Sequence, residues 1–196
     1  MRGGLFLNAI SLLSASCGAF GDGSDSVDRP HIRRTPNPAV TVAFATVRHF
    51  PWAQVSPYIA IQVLASVSAS FILKEVFDPF MSGGVTVPTV SHGQAFALEF
   101  IVTFILMLVN MAVVTDTRAV GELAGIAVGG TVLLNNLVAG PATGASMTPV
   151  RTLGPAVAAG NYKGMRIYTV APLLGALAGA ATYTAMKLLD KPTNQV

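Results

Sequence analysis

Apolar residues are concentrated in four long segments that are separated by shorter polar or glycine-rich stretches. A helix needs roughly 20 apolar residues to cross a hydrocarbon layer about 30 Å thick, and all four segments approach that length. The pattern therefore predicts an all-α membrane protein with about four transmembrane helices. The segments are Val55 to Leu73, Ala95 to Val114, Leu123 to Val138 and Ile167 to Leu189.

Two further stretches are apolar but too short to cross a membrane, PNPAVTVAFATVRHF and MTPVRTLGPAVAAG. In each, a small polar residue precedes a proline. Such a residue caps a helix start with its side chain, and proline fits the first helical position because its missing N–H is not needed there. Each stretch is therefore predicted to begin a helix at its polar residue. The two pairs are Asn37 with Pro38 and Thr148 with Pro149.

These starts predict two half-helices, over residues 37 to about 50 and 148 to about 159. At 1.5 Å per residue each is about 17–20 Å long, which is half a bilayer. A helix that ends inside the membrane leaves irregular backbone there, which is tolerated only where it is buried in protein or lines a water-filled cavity. Two opposed half-helices therefore predict a lumen, with positive dipole ends that repel cations.

Arg151 is the only charged residue between Ala139 and Tyr162. In the lumen its guanidinium adds a cation barrier and a row of hydrogen-bond donors. The alternative is an arginine that reaches lipid head groups from near the membrane boundary. The two aligned helix starts favour the lumen.

Composition supports a membrane location and excludes other classes of protein. Hydrophobic residues make up 52% of the 196 residues and charged residues only 11%, and the mean hydropathy is +0.61. The net charge of +3 comes from dispersed Lys and Arg, so no basic cluster indicates a nucleic-acid partner. Cys17 has no cysteine partner. We expect the lipid bilayer as a partner and no cofactor or metal.

Charge also predicts the orientation of the spans. The loop 78–93 lacks Lys and Arg, whereas the segment before the first span holds Arg29, Arg33, Arg34 and Arg48, and Arg118 lies in the next loop. Because Lys and Arg favour the cytoplasmic side, loop 78–93 is predicted outside. Small residues four apart predict close helix contacts, although such pairs are common in any glycine-rich membrane helix; the pairs are Ala65 and Ala69, Gly125 and Gly129, and Gly175 and Gly179.

An enzyme is a further alternative, with Ser146 as an intramembrane nucleophile and His49 or His92 as its base. His49 is predicted at the inner end of the first half-helix and His92 outside. Neither is expected to reach Ser146, so no enzymatic activity is predicted.

Four segments together resemble the aquaporins of the major intrinsic protein family: NPAVTVAFATVRHFPW, GQAFALEFIVTFIL, DTRAVGELAGIAVGGTVLLN and MTPVRTLGPAVAAGNY. They are most similar to the plant nodulin-26-like subfamily and its members that pass boric acid. The resemblance covers about residues 36 to 189. It implies spanning helices with two re-entrant half-helices in an inverted repeat, a tetramer with one pore per subunit, and a plasma-membrane location. It also implies passive conduction of water, glycerol-like polyols, boric acid or related metalloids.

The resemblance also assigns site residues. The paired NPA motifs match Asn37, Pro38 and Ala39 and, with changes, Thr148, Pro149 and Val150. The selectivity constriction maps onto Asn136, Ala145 and Arg151. Thr148 replaces an asparagine and so loses an amide donor, and the amide of Asn136 replaces an aliphatic side chain.

Glu99 matches a glutamate that supports the second re-entrant loop in the family. A buried carboxylate is stable only when it is paired or hydrogen-bonded. Glu99 is therefore predicted to accept backbone N–H groups of the loop before Thr148. The alternative is a glutamate at the lipid edge.

The family places two more spans before its first NPA motif, where this sequence has 36 residues. We therefore predict a truncated aquaporin-like fold. Its parts are an atypical leader over residues 1–35 with the weak apolar segment Leu5 to Phe20, a channel domain over 36–189, and a short cytoplasmic tail over 190–196. The alternative function is a non-conducting subunit that associates with full-length relatives and modulates them.

Overall fold

The computed structural model of the chain describes residues 37–77, 84–115 and 124–189. The predicted leader 1–35 and tail 190–196 lie outside these ranges. Every regular element within them is a helix, as the sequence predicts. In chain order the helices are α1 (Pro38–Thr46), α2 (Trp52–Phe77), α3 (His92–Thr115), α4 (Ala124–Thr143), α5 (Pro149–Ala159) and α6 (Met165–Leu189).

Four of these helices, α2, α3, α4 and α6, are long and apolar enough to cross a membrane. They confirm the four predicted spans. The largest difference is in α4, which was predicted to end at Val138 and continues to Thr143. The apolar pattern stops at Asn135 and Asn136, but both asparagines are buried and donate to carbonyl oxygens, so they do not end the helix.

The two predicted half-helices are present as α1 and α5. Helix α1 is shorter than predicted because the chain turns at Arg48, whose φ of 62° is left-handed. Helix α5 ends at Gly160, also left-handed at φ 65°, whose N–H bonds back to Ala156 and Val157. Glycine adopts this conformation without the penalty that a Cβ imposes.

Half-helix α1 is held in the largest buried apolar cluster of the described residues. Its Phe44 is 1% exposed and packs with Met107 and Met111 of α3 and with Ala176 and Ala180 of α6. Because apolar burial is non-directional, this packing fixes the depth of α1 but not the chemistry at its N-terminus.

Helices α3 and α6 approach most closely at two glycines. A Cβ built on Gly175 would collide with the carbonyl oxygen of Phe100, and one on Gly179 would lie 2.7 Å from that of Phe104. The absence of side chains lets the two backbones touch, as small residues do between membrane helices. The predicted close contact is confirmed for this pair.

Helix α2 differs from the other spans because little of it is covered. Only 6% of its spanning window is buried, compared with 44% for α3. Its exposed apolar side chains form an outward surface that meets lipid or another protein in a membrane. Members of this surface are Ile61, Leu64, Phe71, Ile72 and Val76.

We predict that Gly175→Ala destabilises the α3–α6 contact. Alanine gains about 0.5–1 kcal/mol of helix propensity, but overpacking a tight contact costs roughly 1–3 kcal/mol, so the collision with Phe100 dominates. The midpoint of thermal unfolding in detergent should fall. Gly130→Ala is the matched control, because nothing lies within 4 Å of a Cβ there. Equal midpoints for the two variants would contradict the close contact.

Candidate functional site

The N-terminal ends of the two half-helices meet through Asn37. Its side-chain oxygen accepts the N–H of Ala39 at 2.9 Å, which is the helix cap that the sequence predicts. Its side-chain Nδ2 donates to the carbonyl oxygen of Met147 at 2.7 Å. Because Met147 immediately precedes Thr148, one amide both caps α1 and joins it to the start of α5.

Thr148 does not cap α5 with its side chain, and the predicted cap is wrong at this position. Its backbone is extended, as at an N-cap, but its side chain makes no capping hydrogen bond. The hydroxyl is buried and contacts no partner among the described residues. The hydroxyl of a threonine is shorter in reach than the amide of an asparagine and offers one oxygen.

Ser146 takes over the bracing of this helix start. Its hydroxyl donates to the carbonyl of Thr148 at 2.7 Å and lies 2.7 Å from the hydroxyl of Thr152. Both contacts occupy the serine in structural roles. The hydroxyl partners of Ser146 are Thr148 and Thr152 and neither of the histidines His49 and His92.

The loop between α4 and α5 has an unusual backbone. Ala145 and Met147 have φ values of 44° and 54°, and Gly144 has 82°. Residues other than glycine are uncommon in the left-handed region, where each costs of order 1–3 kcal/mol. Such a conformation persists only where the surroundings hold it.

Glu99 provides that hold. The side chain of this α3 residue is fully buried. Its Oε1 accepts the N–H of Ser146 at 2.9 Å and the hydroxyl of Thr143 at 2.7 Å, and its Oε2 accepts the N–H of Met147 at 2.9 Å. The carboxylate therefore contacts the loop before Thr148 and is not at the lipid edge.

Asn135 makes contacts that the sequence analysis did not predict. Its Nδ2 donates to the carbonyl of Val102 at 2.9 Å and lies 3.4 Å from the sulfur of Met147. Met147 is thus held at its N–H by Glu99, at its carbonyl by Asn37 and at its sulfur by Asn135. Two consecutive asparagines in an apolar helix were the available signal, since neighbours on a helix point about 100° apart and only one was assigned.

Arg151 lies in the first turn of α5 with its guanidinium turned into the protein. Its Nε and Nη1 are buried and have no hydrogen-bond partner among the described residues. The Nη1 atom is 3.9 Å from the place of a Cβ on Gly144, so the head group lies against the strained loop. This position favours the lumen interpretation over an arginine that reaches lipid head groups.

The other residues assigned to the constriction are also buried. Ala145 is fully buried in the strained loop. Asn136 is 1% exposed and donates to Val132 within its own helix at 2.9 Å, and its Oδ1 lacks a partner in the described part of the chain. The structure therefore brings Ala145 and Arg151 together around one loop and leaves Asn136 on α4 with an unused acceptor.

Residues 84–91 cover this loop. Thr89 bonds to the carbonyl of Ala142 through its N–H at 2.9 Å and through its hydroxyl at 3.0 Å. Thr86 is buried, and its Cγ2 is 2.9 Å from the place of a Cβ on Gly144. Only glycine fits at position 144, because of both this contact and its positive φ.

Together the helices and these contacts define a polytopic helical membrane protein in which two half-helices meet end to end beside an arginine whose Nε and Nη1 are buried. The sequence matches the major intrinsic protein family over residues 31–183, and the chain belongs to this family. Aquaporins of this family are channels and not enzymes.

Two plant relatives confirm the resemblance to nodulin-26-like aquaporins. Probable aquaporin NIP5-1 of Arabidopsis thaliana is 70% identical over 158 residues, which are 81% of this chain and 52% of that protein. Nodulin-26 of Glycine max is 52% identical over 163 residues, which are 81% of this chain and 59% of that protein. The chain spans about half the length of the curated relatives it matches.

A solved structure supports the fold. The aquaglyceroporin from Plasmodium falciparum superimposes with a TM-score of 0.72 at 21% sequence identity, and the match covers 95% of each chain. At this identity the similarity shows the fold alone.

We predict that Glu99→Gln destabilises the protein. The glutamine amide has one acceptor oxygen where the carboxylate has two, and each buried donor left without an acceptor costs about 1–3 kcal/mol. The midpoint of thermal unfolding in detergent should fall, and the loop 144–148 should exchange its amide protons faster. Glu75→Gln, at an exposed position of α2, is the control. Unchanged exchange in Glu99→Gln would contradict the bracing role.

Proposed function

We propose that the chain forms a passive membrane channel for small neutral solutes, namely water, glycerol-like polyols, and boric acid or related metalloids. The observation that carries the proposal is the junction between Asn37 and Met147, together with the buried Nε and Nη1 of Arg151, which have no partner among the described residues. Because the chain spans about half of its curated relatives, its activity is inferred from the geometry of this site.

The electrostatics of the junction favour neutral solutes. Both half-helices direct their N-terminal, electropositive ends to one place, and Arg151 adds a full charge with two donors that no described side chain occupies. Buried donors without partners cost free energy unless water or a solute accepts from them. A cation is repelled by the same groups that bind a neutral oxygen.

The size and polarity of the assigned residues favour hydroxylated solutes. Ala145 adds only a methyl group to the constriction. The carbonyl oxygen of Asn136 and the hydroxyl of Thr148 are buried without a hydrogen-bond partner among the described residues, and in this proposal they bond to a solute whose hydroxyl groups both donate and accept. In this proposal the central contact is formed by Asn37, Pro38, Ala39, Thr148, Pro149 and Val150. The selectivity filter is formed by Asn136, Ala145 and Arg151, and Glu99 supports the loop.

The same proposal includes the setting of the channel. We infer a homotetramer or an association with related channels, in the plasma membrane rather than an internal membrane. The channel domain is taken as residues 36–189. The exposed apolar surface of α2 supports contacts with neighbouring subunits or lipid.

Conduction is tested in vesicles reconstituted with the full chain. Shrinkage and reswelling after an osmotic step should be faster than in empty vesicles for water and at least one of glycerol and boric acid. Arg151→Val should raise sodium leakage by at least roughly tenfold. Two like unit charges about 4 Å apart repel each other by about 4 kcal/mol at an effective dielectric constant of 20, and the variant removes this repulsion between the guanidinium and a sodium ion. Arg166→Gln, at an exposed position, should leave the leak unchanged. Wild-type rates equal to those of empty vesicles would refute conduction.

A second candidate is a non-conducting subunit that modulates full-length relatives. The uncovered face of α2 favours it, because that surface is available to a neighbouring channel. Coexpression with a relative of full length should then change the osmotic permeability of the relative by a measurable factor. A variant with Leu64 and Ile72 replaced by alanine should weaken the effect, whereas unchanged permeability with the wild-type chain would exclude this candidate.

A further inference from the structure

Half-helix α5 carries Arg151 but is weakly supported by its own hydrogen bonds. It has 11 residues and contains Pro149 and Pro155. Proline has no N–H, so Pro155 cannot donate to the carbonyl of Arg151 one turn earlier. Helices this short are marginal without outside contacts. The position of Arg151 therefore depends on what holds α5.

One outside contact lies next to Arg151. Ser66 of α2 donates its hydroxyl to the carbonyl of Val150 at 2.6 Å, and Ser70 donates to the carbonyl of Ser66 at 2.8 Å. A side-chain donor from another helix thus reaches the first turn of α5, one residue before the arginine.

A second contact lies at the other end of α5. The backbone N–H groups of Gly160 and Asn161 bond to Val157 and Ala156, and the Lys74 Nζ donates to the carbonyl of Ala158 at 2.9 Å. A cation at a helix C-terminus stabilises both the unpaired carbonyl and the negative end of the dipole. Lys74 therefore holds the far end of the same half-helix.

Between these two contacts, α2 and α5 are closely packed at Gly154. A Cβ on Gly154 would lie 2.6 Å from the Ser66 carbonyl and 2.6 Å from the Ser70 hydroxyl. Ser66, Ser70 and Lys74 are four residues apart and so lie along one face of α2. The rest of α2 is scarcely buried, which makes this polar face its principal contact with the channel residues.

We propose that Ser66 and Lys74 are positioning residues that set where the Arg151 guanidinium lies, and so set the selectivity of the channel. The inference rests on the proposed function for its effect on solutes but not for its geometry. Helix α2 acts as a two-point clamp on α5, with a hydrogen bond at each end and Gly154 in contact between them.

The geometry is tested by chemical modification of arginine in the full chain reconstituted in vesicles. Phenylglyoxal adducts are counted by mass spectrometry at Arg151 relative to Arg166, which is exposed and serves as the internal reference. Ser66→Ala should change the relative rate at Arg151 by roughly two- to tenfold, the range expected for loss of one neutral hydrogen bond. Ser66→Thr should restore it, because the hydroxyl is kept.

The matched controls are on the same helix. Ser68→Ala alters an exposed serine and should leave the relative rate unchanged. Lys74→Met should shift it in the same direction as Ser66→Ala, whereas Lys74→Arg and Glu75→Gln should not. Equal relative rates in Ser66→Ala and Ser68→Ala would overturn the clamp.

Solute flux gives the second reading. Ser66→Ala should change the ratio of glycerol to water permeability, a ratio that a simple loss of folded protein does not move, because both fluxes then fall together. A wild-type chain that fails to conduct refutes the proposed function but leaves the arginine modification as the test of the clamp. A changed modification rate with an unchanged permeability ratio would refute the assigned effect on selectivity.

Discussion

The site depends on one buried carboxylate. Glu99 accepts hydrogen bonds from Thr143, Ser146 and Met147, and these bonds hold a loop in which two non-glycine residues have positive φ. A charge in a membrane interior is tolerated only where such donors satisfy it, and a strained loop persists only where something fixes it. Each feature thus makes the other possible. Arg151 lies in the first turn of α5, which follows this loop, and its Nη1 lies against Gly144, so Glu99 also contributes to the position of the guanidinium.

Met147 transmits this constraint to the centre of the molecule. Its N–H donates to Glu99 of α3, its carbonyl accepts from Asn37 at the N-cap of α1, and its sulfur contacts Asn135 of α4. The spanning helices α3 and α4 therefore fix the loop, and the loop fixes the end of α1. The apolar packing around Phe44 sets the depth of that half-helix, and the polar contacts set its direction. Burial and hydrogen bonding therefore have separate functions here.

The sequence predicts the helices well because their signals are local. Apolar length identifies the four spans, and a polar residue followed by proline identifies both half-helix starts. Details that depend on tertiary contacts are less accessible. The end of α4 was predicted too early because Asn135 and Asn136 are polar, although their side-chain Nδ2 groups donate to carbonyl oxygens on α3 and within α4. The predicted side-chain cap at Thr148 was wrong, because the hydroxyl of Ser146 makes the hydrogen bonds that hold this helix start. The Ser66 and Lys74 contacts join residues 84 positions apart, and no local pattern indicates them.

The two half-helices are consequently not equivalent. Helix α1 begins with an asparagine that caps its first turn, whereas the side chain at the start of α5 caps nothing. The first N–H groups of α5 have no intrahelical partner, so their acceptors must come from outside the helix. External contacts from Ser146, Ser66 and Lys74 stabilise α5 in place of the missing cap. A threonine without a side-chain cap is therefore compatible with the start of this half-helix.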